Sequence, residues 1–300
     1  MADFFNNMLE ERGTVLLDCA LGTSMMAAGV VRAGERTDKP NLTHPDVVLG
    51  HYRSNIAAGA DILKANTFGI GLLKADEAKD GYNNMDALRA GLRLARQAAE
   101  EGGVGGKRIY VEFDLGPLGE LVGFTDGLEH DRARELFAGA VRAAMEEAPD
   151  LMNIETMSDI EEVKDALWAI RTYAPGLPVS CSMTFDAGGH TFMGATPAMF
   201  AEAMRDLDLD AIGMNCSIGP DEMAGIFPEL IEAAGGTPVF AKPNAGLPKV
   251  VDGKAVYEMT PESFTAGMKK ILDQGVRIVG GCCGTTPEMI AALGRMIGKI

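Results

Sequence analysis

Val276-Arg-Ile-Val-Gly-Gly-Cys-Cys-Gly-Thr-Thr-Pro-Glu288 reads as a short β-branched strand, a glycine-flanked loop and the start of a helix that runs on to residue 297. Thr286, Pro287 and Glu288 are helix-start chemistry: a hydroxyl to cap a free N–H, a proline where no N–H is needed, and an acid at the positive end of the helix dipole. The same unit recurs along the chain. Apolar or β-branched runs lie at 14–18, 61–65, 108–113, 151–154, 178–182, 211–214, 238–241 and 276–280. They alternate with stretches of helical period at 46–59, 85–101, 130–147, 158–173, 197–205, 221–234, 261–274 and 287–297. Thr196-Pro197 and Thr260-Pro261-Glu262 repeat the start signal. Strands alternating with helices predict an α/β fold with parallel pairing and right-handed crossovers. Eight units fill the 300 residues, and no Gly-x-Gly-x-x-Gly follows an early strand. The expectation is a single (β/α)8 TIM-barrel domain over residues 1–300, with a doubly wound open sheet as the competing arrangement.

In such a barrel the chemistry sits where strands end and loops begin. Here those positions hold Asp18, Asn66-Thr67, Asp114, Glu155, Thr184, Asn215-Cys216, Lys242-Asn244 and Cys282-Cys283. The chain carries 27 basic and 43 acidic residues, a net charge of −16, which repels nucleic-acid backbones and anionic lipid. No stretch approaches the ~20 apolar residues of a membrane span. The acidic start (Met1-Ala-Asp-Phe-Phe) lacks the basic residues of an export signal, so the expected location is the cytoplasm and the expected partners include neither nucleic acid nor membrane. Five cysteines, an odd number, favour metal or reactive thiols over a disulfide framework.

Cys282 and Cys283 are adjacent, and neighbouring strand residues point to opposite faces. For both sulfurs to meet one metal the chain must turn sharply, which Gly280, Gly281 and Gly284 permit. Cys216 lies at another strand end, before Ser217-Ile-Gly-Pro220. Three thiolates from the sixth and eighth strand ends would make a three-cysteine site with a fourth position open, the arrangement of a catalytic rather than a structural zinc. A vicinal disulfide or two small buried hydrophobes are the alternatives at Cys282-Cys283. Cys181 reads as core packing, and Cys19 follows a strand-end aspartate without a required role. An open zinc held by three thiolates is electron-rich: a poor centre for activating water, but one that leaves a bound substrate sulfur ionised and nucleophilic. Methyl transfer to sulfur fits that chemistry and hydrolysis does not.

Seven segments together resemble the homocysteine S-methyltransferase family, and within it the homocysteine-binding barrel of cobalamin-dependent methionine synthase. They are Leu17-Asp-Cys-Ala-Leu-Gly-Thr23, Ala65-Asn-Thr-Phe-Gly69, Asp114-Leu-Gly-Pro117, Ile154-Glu-Thr-Met-Ser-Asp159, Gly213-Met-Asn-Cys-Ser-Ile-Gly-Pro220, Pro243-Asn-Ala-Gly-Leu-Pro248 and Gly280-Gly-Cys-Cys-Gly-Thr-Thr-Pro287. The resemblance implies zinc held by Cys216, Cys282 and Cys283, with the Asn244 side chain at the open position before a thiol arrives. It implies homocysteine as acceptor, with Glu155 for its ammonium and Asp18 and Thr67 beside the zwitterion, Asp114 being a weaker candidate. Cys19 departs from the family's usual glycine after the aspartate. The Pro-Asn-Ala-Gly-Leu-Pro and Gly-Gly-Cys-Cys-Gly segments resemble the branch that uses methylcobalamin. None of His44, His51, His130 and His190 lies in an Asp-x-His-x-x-Gly corrinoid-ligating context, so the donor is expected on a separate corrinoid protein. A methylsulfonium or betaine donor, another thiol acceptor, or a subunit that only presents homocysteine are the alternatives within this reading. A Schiff-base barrel on Lys64 or Lys242 is the alternative outside it, although each lysine reads first as a salt-bridge partner.

Overall fold

The strand runs pair side by side in the computed structural model, which describes residues 3–32, 34–69, 81–103, 107–124, 127–251 and 254–300. The strands are β1 (Val15–Leu16), β2 (Ile62–Lys64), β3 (Tyr110–Leu115), β4 (Leu151–Met157), β5 (Val179–Met183), β6 (Ala211–Asn215), β7 (Val239–Lys242), an outlying hairpin β8 (Lys249–Val251) and β9 (Lys254–Val256), and β10 (Ile278–Val279). Eight of them form one parallel sheet in the order β1-β10-β7-β6-β5-β4-β3-β2. A parallel bridge between Leu17 and Ile62 joins the two ends of that order. The sheet is therefore a (β/α)8 TIM barrel, and the open-sheet alternative is excluded.

Each expected helix is present: Pro45–Ala57, Asn84–Gly102, His130–Met145, Ile160–Tyr173, Pro197–Met204, Pro220–Ala233, Pro261–Leu272 and Pro287–Met296. The threonines act as read from sequence, with Thr196, Thr260 and Thr286 each accepting a first-turn N–H, Thr260 in a reciprocal capping box. Among the described residues, four elements go beyond the sequence reading: the helices Phe4–Arg12, Leu21–Ala27 and Pro40–Thr43, and the hairpin β8–β9. The first closes the barrel floor. Phe5 and Met8 pack on Val15, Leu17, Ile62, Leu151, Ala211, Phe240 and Ile278, the inward residues at the strand starts. A second, larger core of alanine, leucine, valine and phenylalanine fills the layer between barrel and helices. Side chains alternate along a strand. Two residues on from Ile62, Leu151 and Phe240, the inward positions are therefore Lys64, Asn153 and Lys242, and the upper interior is polar.

Candidate functional site

Three loops at the C-terminal ends of β6, β7 and β10 are stitched together by their backbones. The Cys216 N–H donates to the Lys242 carbonyl (3.0 Å), Asn244 to Ile218 (2.9 Å), Cys282 to Pro243 (2.8 Å) and Ala245 to Cys283 (2.9 Å). This weave brings Cys216, Cys282 and Cys283 together, all three sulfurs lying within 4.8 Å of one another. Cys216 Sγ and Cys283 Sγ are 3.7 Å apart, too far for a bond and close to the ~3.8 Å edge of a tetrahedron with zinc–sulfur bonds of about 2.3 Å. All five cysteines are free, so the vicinal-disulfide alternative does not hold. Cys19 and Cys181 are buried in the outer core, away from this group.

The backbone is forced to make the cluster. Cys216 and Ser217 sit at φ 61° and 63°, left-handed values that L side chains disfavour, and these turn the Cys216 sulfur back toward β10. Gly284 is also left-handed, at φ 79°, and a Cβ there would run into the Tyr257 ring that follows the hairpin. Packing thiols so closely resists their ionisation. Hydrogen bonding with Cys216 and burial push Cys282 up to about 12, although Cys283 opposes this. The Asn215 amide donates to Cys282 Sγ (3.7 Å) and to Thr156 Oγ1 (2.6 Å), while its oxygen accepts from the Ser182 hydroxyl (2.8 Å) and the Thr156 N–H (3.0 Å). Asn244 is 4% exposed and its Oδ1 has no hydrogen-bond partner, an orphaned acceptor in the weave around the sulfurs.

Beneath the cysteines lies a charged cluster. Glu155 accepts from Lys242 Nζ on one oxygen and from Lys64 Nζ on the other, both at 2.6 Å. These strands are not neighbours, so the bonds cross the barrel interior. Lys64 Nζ is also 3.9 Å from Asp114, and Lys242 Nζ is 3.9 Å from Glu112. Burial would raise the Glu155 pKa, but the Lys242 and Lys64 ammoniums outweigh it and hold the carboxyl well below the usual range. Burial and the charge of Glu155 raise Asp114 well above its ordinary value, and burial lifts Glu112 to about 7. Asp18 accepts the Lys64 N–H on Oδ2 (2.8 Å), while its buried Oδ1 has no partner; burial raises its pKa. The Thr67 hydroxyl donates to the Asp114 carbonyl (2.7 Å) and accepts its N–H (3.1 Å), so it ties β2 to β3. The expected residues thus divide into the sulfur cluster with Asn244 above, and Asp18, Glu155 and Asp114 around the lysines. Asn215 was visible only as a strand-end residue.

The sequence pattern of homocysteine S-methyltransferase matches residues 15–297. The chain belongs to the homocysteine S-methyltransferase family. Family relatives include methionine synthase of Mycobacterium tuberculosis, 30% identical over 295 aligned residues that cover 94% of this chain and 24% of the relative. Methionine synthase of Mycobacterium leprae is 29% identical over 86% of this chain and 22% of its own length. The chain thus spans about a quarter of the length of these curated relatives. Among solved structures, the metallated form of the homocysteine methyltransferase MmuM from Escherichia coli superposes with a TM-score of 0.80 at 19% identity, covering 97% of this chain and 99% of that one. Its apo form superposes at 0.75 and 20% identity, over 96% of this chain and 97% of that one, and the family fold is thereby shared end to end. No helix among the described residues is long and apolar enough to cross a membrane.

Proposed function

We propose that this chain is a zinc-dependent S-methyltransferase that methylates homocysteine to methionine, taking the methyl group from methylcobalamin carried by a separate corrinoid protein. The observation that carries the reading is the convergence of three sulfurs from the ends of β6 and β10 within 4.8 Å of one another, the Cys216–Cys283 pair at 3.7 Å, near the edge of a zinc–thiolate tetrahedron. Bound by Cys216, Cys282 and Cys283, zinc supplies a centre at which an incoming thiol is held as the thiolate, the form that attacks an alkyl carbon. Asn244, with its unpartnered Oδ1, is the residue to hold the fourth position in the absence of a thiol. Asn215 donates to Cys282 Sγ and fixes that sulfur relative to β6. Glu155, Asp18 and Thr67 are the residues to hold the amino-acid end of the thiol, Glu155 being the expected partner of its ammonium; with both Glu155 oxygens engaged by Lys64 and Lys242, Asp18 Oδ1 is the acceptor left open. A site of reduced thiols suits the cytoplasm.

The test is zinc analysis of the purified chain, X-ray absorption at the zinc edge with and without homocysteine, and methyl transfer from methylcobalamin, S-methylmethionine and betaine. One zinc per chain, a fourth sulfur on adding homocysteine and turnover with methylcobalamin are expected. Turnover only with a methylsulfonium or betaine would replace the donor. Homocysteine binding at zinc without turnover from any donor would leave a presenting subunit.

A further inference from the structure

We infer that Lys64 is the anion anchor of the acceptor site: its ammonium, braced by Glu155, takes the carboxylate of the thiol whose sulfur goes to the cysteine cluster. This rests on the proposed reading of the site as a thiol acceptor and deepens it by naming what selects the acceptor.

The argument begins with accessibility. Glu155 and Lys242 side chains are each 1% exposed, Asp114 is 0% and Glu112 is 4%, whereas Lys64 retains 12%. Lys64 is the member of the cluster that a molecule entering from the barrel mouth meets first. Lys64 and Lys242 both stand one step above the floor, over Ile62 and Phe240, so it is exposure and not height that tells them apart. Charge supports this role for Lys64 as well. Two ammoniums share the single carboxylate of Glu155 at 2.6 Å each, while Asp114 and Glu112 each stand 3.9 Å from a lysine, beyond hydrogen-bond distance. Lys64 therefore has one short carboxylate partner for three N–H donors, and a substrate carboxylate supplies another acceptor. Asp18 joins the two sites: its Oδ2 accepts the Lys64 N–H (2.8 Å) and its carbonyl accepts the N–H of Gly281 (3.1 Å), the residue before Cys282, so lysine and sulfur stand on adjoining strand ends. Both Glu155 oxygens already carry an ammonium, so a substrate ammonium is left with Asp18 Oδ1. Lys242 is wholly enclosed; it positions Glu155, which positions Lys64.

The experiment is calorimetric titration of the zinc-loaded chain with four thiols. They are homocysteine, 4-mercaptobutanoate (no amine), 3-mercaptopropylamine (no carboxylate) and the neutral 2-mercaptoethanol. Wild type is expected to hold 4-mercaptobutanoate at least about tenfold more tightly than 3-mercaptopropylamine, the scale of one charge-assisted hydrogen bond. Lys64→Met should weaken homocysteine and 4-mercaptobutanoate by about tenfold or more on the same basis and leave 2-mercaptoethanol unchanged; Lys64→Arg should restore part of the loss. Unchanged 2-mercaptoethanol affinity also reports that the variant's metal site is intact. Equal losses for all four thiols, or no loss for the acids, would overturn the role of Lys64. Failure of 2-mercaptoethanol to bind even the wild-type zinc protein would instead bring down the thiol-acceptor reading, and this inference with it.

Discussion

Cys282 is 7% exposed and its sulfur already has a fixed donor in Asn215, so it is the thiol with least freedom to be replaced. Serine keeps the shape but offers a hard hydroxyl where a soft thiolate is required. Cys282→Ser is expected to lose stoichiometric zinc and methyl transfer, read by metal analysis of the folded protein; a full zinc complement would remove Cys282 from the ligand set. Glu155 is decisive for a different reason. Its removal leaves two ammoniums in the barrel interior without their shared carboxylate. Breaking a buried pair from one side costs about 3–5 kcal/mol, and Glu155→Ala should lower the urea stability by that order. The pH dependence follows from the sign of the shift. The folded carboxyl is held below its ordinary 4.5, so its contribution is complete above that value and is lost as pH falls through the lower folded value. The gap between wild type and Glu155→Ala should accordingly narrow on acidification below 4.5. A gap independent of pH would mean the loss is one of packing, not charge.

At the scale of elements, helix starts hold the loops that carry the site. Leu118, in the loop after β3, donates its N–H to Glu162 Oε1 at 2.6 Å, in the first turn of the helix Ile160–Tyr173. Burial raises the Glu162 pKa to about 7, so its ionisation opposes the folded state: stability is full below 4.5 and falls as pH rises through 7. Glu162→Gln keeps the acceptor and removes the charge. The variant should gain on wild type between pH 4.5 and 7, read from urea midpoints; parallel pH profiles would show that the carboxyl does not titrate there. Such elements were legible in the sequence to different depths. The eight barrel strands and their helices were, because proline and threonine starts and β-branched runs are local signals, and so was the cysteine trio with its flanking glycines. The helix Phe4–Arg12 was not, since no side chain caps its start and its apolar residues make sense only against a barrel floor not yet built. The Glu155 cluster was legible only in part: both lysines read as salt-bridge partners, as they are, but Glu155 did not read as their shared carboxylate. Lys64, Glu155 and Lys242 are far apart in sequence, and only closure of the barrel sets their ammoniums against one carboxylate.

The whole molecule separates stability from chemistry along the barrel axis. At the N-terminal end, Asp61 gathers Arg12 (2.9 Å), Lys107 (3.0 Å) and Lys299 (2.9 Å), tying the first helix, a loop and the C-terminal segment to one carboxylate. Above it Phe5 and Met8 seal the floor against the strand starts. At the other end, Cys216 and Ser217 hold left-handed backbone beside the sulfurs, and Asp18 Oδ1, Asp114 Oδ2 and Asn244 Oδ1 are buried without hydrogen-bond partners. The two ends are joined through the strands, so a defect in the floor should lower global stability without disturbing the site. Met8 is 2% exposed, and Met8→Ala removes a buried side chain from the floor at a cost of about 2–5 kcal/mol. The variant is expected to unfold at lower urea yet keep stoichiometric zinc and wild-type thiol affinity when folded. Loss of zinc from the folded variant would mean that the floor sets the geometry of the cysteine loops, and that the separation along the axis does not exist.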